Sequence, residues 1–165
     1  MRSIRAILMV AALAACDPAP APRPATAGAE SVTLERTLCY GSCPAYRLSI
    51  ARDGAVRFQS LNPGDSTAAT DRIDPTAFDA LAREAERIGF RSLPDEIEAD
   101  RELCGSLATD HPSATVTIHA STGTKSVTDQ HGCHGTSERL AALRRFEDRI
   151  DSVAGSARWV RPARR

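Results

Sequence analysis

Tyr46-Arg-Leu-Ser-Ile-Ala-Arg-Asp53-Gly54-Ala-Val-Arg-Phe-Gln59 is the stretch that decides how this chain folds. Tyr46, Leu48 and Ile50 alternate with Arg47, Ser49 and Ala51, the period of a strand with one buried face. Asp53-Gly54 supplies the positive φ angles of a tight hairpin turn, and Val56 and Phe58 alternate with Arg57 and Gln59 on the return. Immediately upstream stands Arg36-Thr-Leu-Cys39-Tyr-Gly-Ser-Cys43-Pro-Ala-Tyr46, where two cysteines lie four positions apart with Gly41 between them and Pro44 after. Before that corner Val32 and Leu34 alternate with polar neighbours, so Ser31 to Leu38 is predicted as a strand.

Downstream, Asn62-Pro63-Gly64-Asp65 marks a loop. Asp74-Pro75 is a helix start, a capping carboxylate followed by proline at the first helical position. Phe78, Leu81, Ala82, Ala85 and Ile88 then share one helical face, and Gly89 ends the helix. Ser92 to Pro112 is irregular and acidic, with Asp95, Glu96, Glu98, Asp100 and Glu102 close together but without the ligand spacing of a calcium loop. A solvated charge cluster is expected there.

The second half repeats the plan. Ala114, Val116, Ile118 and Ala120 alternate with Thr115, Thr117 and His119, Ser121 to Thr124 turns the chain, and Lys125 to Gln130 returns. A helix capped near Thr136 follows, turning Leu140, Leu143, Phe146, Ile150 and Val153 inward until Gly155 stops it. Ala157 to Val160 is expected as an edge strand or a clasp on the core, with Trp159 packed on the sheet. Two hairpins, an N-terminal strand and two helices predict an α+β fold: an antiparallel sheet with both helices on one face.

The outer segments have a different character. Met1 to Arg5 is a short basic start, followed by an apolar run from Ala6 to Ala15. Ten helical residues rise about 15 Å against a hydrocarbon core of about 30 Å, too short to span a bilayer, so residues 1–15 are read as a secretory signal. Leu13-Ala14-Ala15-Cys16 resembles a bacterial lipobox, which implies that Cys16 becomes the lipidated first residue of the mature protein. Asp17, at the next position, favours the inner membrane in some bacteria with this signal. Residues 16–30 then form a tether in which Pro18, Pro20, Pro22 and Pro24 alternate mainly with alanine, a pattern that favours extended polyproline-like chain. The domain proper is expected over 31–160, with a basic tail at 161–165. Removing residues 1–15 takes Arg2 and Arg5 away, leaving 19 basic residues against 21 acidic ones. A near-neutral domain gives no footing for nucleic acid.

The corner Arg36-x-x-Cys39-Tyr40-Gly41-x-Cys43-Pro44-x-Tyr46, with Asp53-Gly54 after it, resembles a bacterial domain family of unknown function found in envelope lipoproteins. The closing pattern of that family is similar to Leu143 and Ile150-Asp151 on the last helix, followed by Gly155 and Arg158-Trp159-Val160. The resemblance implies an envelope setting and a fold. It implies no activity, and no cofactor is expected.

Besides Cys16, four cysteines remain, and an even number in an oxidising compartment favours disulfides. Of three pairings, Cys39–Cys43 with Cys104–Cys133 is expected, because a turn at Gly41 brings the first two within reach. The alternative is copper or thiol-redox chemistry at Cys39 and Cys43, with His131 and His134 as further metal ligands. Pro44 leading into an alternating strand, rather than a helix, speaks against it. His119 is expected on the exposed face of its strand, and His131 and His134 as solvated loop residues. No nucleophile elbow, phosphate loop or zinc-protease helix occurs. The expectation is a non-catalytic, lipid-anchored envelope domain with a binding or structural role. Its partners are the membrane through Cys16 and an envelope protein that touches Tyr40.

Overall fold

The structure, a computed structural model, describes residues 28–161. The signal sequence, Cys16, most of the tether and the last four residues of the tail lie outside the described residues. The decisive hairpin forms as β2 (Tyr46–Ala51) and β3 (Ala55–Ser60), with Leu48 opposite Phe58 and Ile50 opposite Val56. Gly54 has a φ of 85° and donates its N–H to the Ala51 carbonyl at 2.9 Å. A Cβ at that position would stand 2.2 Å from the Ile73 carbonyl oxygen, so close approach requires glycine as much as the turn does.

That approach marks a strand absent from the sequence reading. Ala68–Arg72 is β4, pairing with β3 as an edge strand, with Phe58 opposite Ala69. Its residues are alanine, threonine, aspartate and arginine, none fully buried, so neither propensity nor alternation announces it. Partner hydrogen bonds define it instead.

β1 (Ala29–Arg36) lies at the centre, antiparallel to both β2 and β5 (Ser113–Ala120), and β6 (Gly123–Gln130) pairs with β5. The sheet order is β4-β3-β2-β1-β5-β6, antiparallel throughout. Helices α1 (Pro75–Arg87) and, near the C-terminus, Glu138–Ala154 supply Phe78, Leu81, Leu140, Leu143, Phe146 and Ile150 to one core with Val32, Leu34, Leu48 and Val116. Asp74 accepts the Thr76 N–H at 2.8 Å, and Gly155 ends the last helix in the left-handed region. The other sheet face stays open, its hydroxyls paired across strands as Thr33–Ser49 and Thr117–Ser126. The fold is α+β, as the two-hairpin pattern predicted.

The acidic segment is more ordered than its composition suggests. It holds a short 3-10 turn, Ile97–Ala99, and the four-residue helix α2 (Arg101–Cys104), capped by Asp100. Ile97 and Leu103 are buried and pin it to the core, while Asp95 pairs with Lys125 of β6. The long C-terminal helix is therefore α3. Beyond it Trp159 follows a 3-10 turn, Ser156–Arg158, and packs on Phe58 with ring centres 5.5 Å apart: a clasp rather than a strand.

Candidate functional site

At the end of the sheet away from Ala29, the first residue of β1, one inward-facing row is largely polar. Tyr46 of β2 stands opposite Arg36 of β1, Arg36 opposite Ala114 of β5, and Ala114 opposite Asp129 of β6. Above that row lies α3, where Arg144, Glu147, Asp148 and Asp151 fall at helical spacings that place them on one side. The small Ala114 in the middle of the row, fully buried, leaves room beneath the helix.

The contacts form a continuous network. Arg144 binds Asp129 in bidentate fashion, at 2.7 Å and 3.2 Å, and donates to the Cys133 carbonyl at 3.0 Å. Glu147 Oε2 meets His131 Nε2 at 2.9 Å and lies 3.7 Å from Arg36 Nη1. Arg36 donates from Nε to Asp151 at 3.0 Å and from Nη2 to Asp148 at 3.2 Å. The Tyr46 hydroxyl donates to Asp151 at 2.8 Å, and Ser156 Oγ donates to the same carboxylate at 2.5 Å.

Burial sets the electrostatics. Glu147 is 1% exposed and Asp129 fully buried, and Glu147 Oε1 has no hydrogen-bond partner. Burial pushes the Glu147 carboxyl above its usual range, against the opposing pull of His131. Burial, then the neighbouring Asp151 charge, raises the Tyr46 phenol well above its ordinary value. Burial works against the Arg36 charge, but Asp151, Tyr46 and Glu147 together hold its pKa above normal. The hydrogen bond to Asp129 does the same for Arg144.

The two segments that carried the family resemblance thus meet in space. Arg36 and Tyr46 frame the cysteine corner, and Asp151 comes from the closing helix pattern. Asp129, Arg144 and Glu147 were not singled out from the sequence. A signal for Glu147 exists: Leu140, Leu143, Glu147, Ile150 and Ala154 fall in a single three-four repeat, so this acid interrupts the buried stripe.

The cysteines are joined as expected. Cys39 is bonded to Cys43, with α-carbons 5.5 Å apart, and Cys104 to Cys133, at 4.6 Å. Gly135 lets the second bond form, because a Cβ there would lie 1.7 Å from the Leu103 carbonyl oxygen. Among the described residues, the potential metal ligands that converge are Asp129, His131 and Glu147, not Cys39, Cys43 and His134. His131 lies in a turn as expected and is partly exposed, but it is held by Glu147 rather than simply solvated. His134 is exposed, its ring 6.3 Å from that of His111. His119 is exposed as expected and bonds Thr124 at 2.9 Å.

The same end of the sheet carries the exposed large apolar side chains of the described residues: Tyr40 at 93%, Leu107 at 49% and Leu38 at 42%. The Tyr40 N–H donates to the Asp110 carbonyl at 3.2 Å, so the Cys39–Cys43 corner and the loop after Cys104 sit side by side. At the opposite end Ala29, Ala82, Ala85, Phe90, Ile118 and Ala120 line a largely apolar cavity of about 270 Å³. None of the described helices is long and apolar enough to cross a membrane.

No curated protein matches this chain. Over residues 30–154, which hold the entire sheet except the first residue of β1, it matches the family described as Domain of unknown function (DUF6438), and it belongs to that family.

Proposed function

We propose that this chain is a lipid-anchored envelope protein whose domain is a non-catalytic binding module, presenting the disulfide-stapled end of its sheet to a protein partner. The observation that carries the reading is the gathering of Tyr40, Leu38 and Leu107 on two adjoining, covalently fastened loops. An exposed tyrosine on a constrained corner offers a large contact area at small entropic cost, which is why tyrosine is enriched in binding surfaces. The lipobox ending at Cys16 supports the anchor. The geometry suits it: β1 begins at Ala29, within the last residues of the expected tether, and its eight residues carry the chain about 26 Å to the corner. The contact surface therefore faces away from the point of attachment.

A photo-crosslinking amino acid placed at position 40 in living cells tests this reading, with position 59 on the open sheet face as comparison. A discrete protein adduct from 40 and none from 59 is the expected result. Absence of any adduct at 40, or equal adducts from both, would refute it.

A further inference from the structure

Beneath α3 the carboxyl groups outnumber the guanidiniums. Asp129, Glu147 and Asp151 supply three carboxyl groups, against two guanidiniums from Arg36 and Arg144. The set holds one more carboxyl group than guanidinium, and the exposed Asp148 on Arg36 adds a further carboxyl. An independent feature points the same way: Glu147 Oε1, on a side chain 1% exposed, has no partner at all. A buried carboxylate oxygen without a donor is a costly arrangement unless something occupies it.

The neighbouring groups show what would fit. His131 Nε2 stands 2.9 Å from a Glu147 oxygen and 3.8 Å from Asp129 Oδ2, and one ligand atom from each residue lies within 4.8 Å of the others. Tetrahedral bonds of about 2.0–2.2 Å to Zn²⁺ set two ligand atoms about 3.4 Å apart, so these three atoms already stand near the spacing of a coordinated set, and His131 need only draw back slightly from Glu147 to admit an ion. His131 is the one member with outward exposure, 27%, which leaves a path for the ion and an open coordination position.

We propose that Asp129, His131 and Glu147 form a binding site for a divalent cation of the zinc class. One imidazole nitrogen with two carboxylates suits such borderline ions, whereas Cu(I) prefers sulfur. Arg144 grips Asp129 from outside and Arg36 lies beside Glu147, so each orients a carboxylate while leaving it unused lone pairs. Both guanidiniums are themselves matched by Asp129, Asp148 and Asp151, which leaves the Glu147 carboxyl as the group for a cation. The site stands independently of the contact surface around Tyr40.

The test uses the full chain purified in detergent, stripped with chelator and desalted, then titrated with Zn²⁺ by calorimetry and followed by thermal unfolding. One ion per chain with a Kd of micromolar order or tighter, and a midpoint raised by several degrees, is expected. Glu147→Gln and His131→Gln should each weaken binding about 10- to 100-fold while circular dichroism shows an intact fold. If Glu147→Gln does not fold, the partly exposed His131→Gln carries the comparison. No saturable binding up to about 1 mM overturns the proposal. So does binding that persists in both variants, or that is lost in His134→Ala yet unchanged in Glu147→Gln, since the latter pattern identifies the exposed histidine pair.

Discussion

Tyr46 and Asp151 are hydrogen-bonded at 2.8 Å across 105 positions of sequence, which ties the end of the cysteine corner to the last helix. Both partners are largely withdrawn from water, and Arg36 reaches the same carboxylate. A hydrogen bond to a charged group in such a place contributes about 1.5–3 kcal/mol. Tyr46→Phe should lower unfolding stability by that amount in urea or guanidinium melts, with the slope against denaturant unchanged.

The same contact has an alkaline signature. Burial and the Asp151 charge raise the Tyr46 pKa in the folded state. The folded protein therefore holds the phenolic proton more tightly than the unfolded chain does. That contribution is fully present below about pH 10, the ordinary tyrosine value, and is lost as pH rises from there towards the higher folded value. Stability should fall at up to about 1.4 kcal/mol per pH unit in that window. Tyr46→Phe should flatten this part of the profile, and an identical slope in variant and parent would contradict the assignment.

The two disulfides should not be equivalent. Closing the longer loop between Cys104 and Cys133 restrains the unfolded chain by about 3.5 kcal/mol, against about 2 kcal/mol for the short Cys39–Cys43 ring. Replacing both cysteines of the long pair with serine should lower the unfolding midpoint more than replacing the short pair. Thiol counting on the denatured, unreduced protein should find neither pair free. A Cys39–Cys43 pair that is reduced in protein from the envelope and takes up Cu(I) would turn the functional reading to thiol or copper chemistry.

Gly135→Ala tests the close approach beside the long staple. The added methyl would collide with the Leu103 carbonyl, which is backbone and cannot swing aside. A loss of about 1–3 kcal/mol, typical of overpacking, is expected in denaturant melts, with slower formation of Cys104–Cys133 on oxidative refolding. Wild-type stability in this variant would show that the two segments are not held against each other.

Cys16→Ser addresses the anchor. The substituted protein should move from the membrane fraction to the soluble envelope extract. Fractionation identical to the parent would refute lipidation at this residue.

The alternation of Tyr46, Leu48 and Ile50 with charged and small residues was enough to determine the first hairpin, as Asp74-Pro75 and Gly155 were for helix limits. The Cys39–Cys43 bond was legible for the same reason: it depends on a local turn, and local geometry is written in neighbouring residues. β4 was not legible, because a short edge strand of small and polar residues exists only through the backbone groups of β3. The charged row beneath α3 was hidden more deeply. Asp129 looks like an ordinary surface charge in its own segment, Glu147 shows only as an acid within the apolar stripe of its helix, and pairing across β1, β5 and β6 is what stacks Arg36 and Asp129 under Glu147. Local side-chain pattern determined the elements and their buried faces. Only tertiary structure decided which charges are removed from water together, because that depends on strand register between segments nearly 100 positions apart.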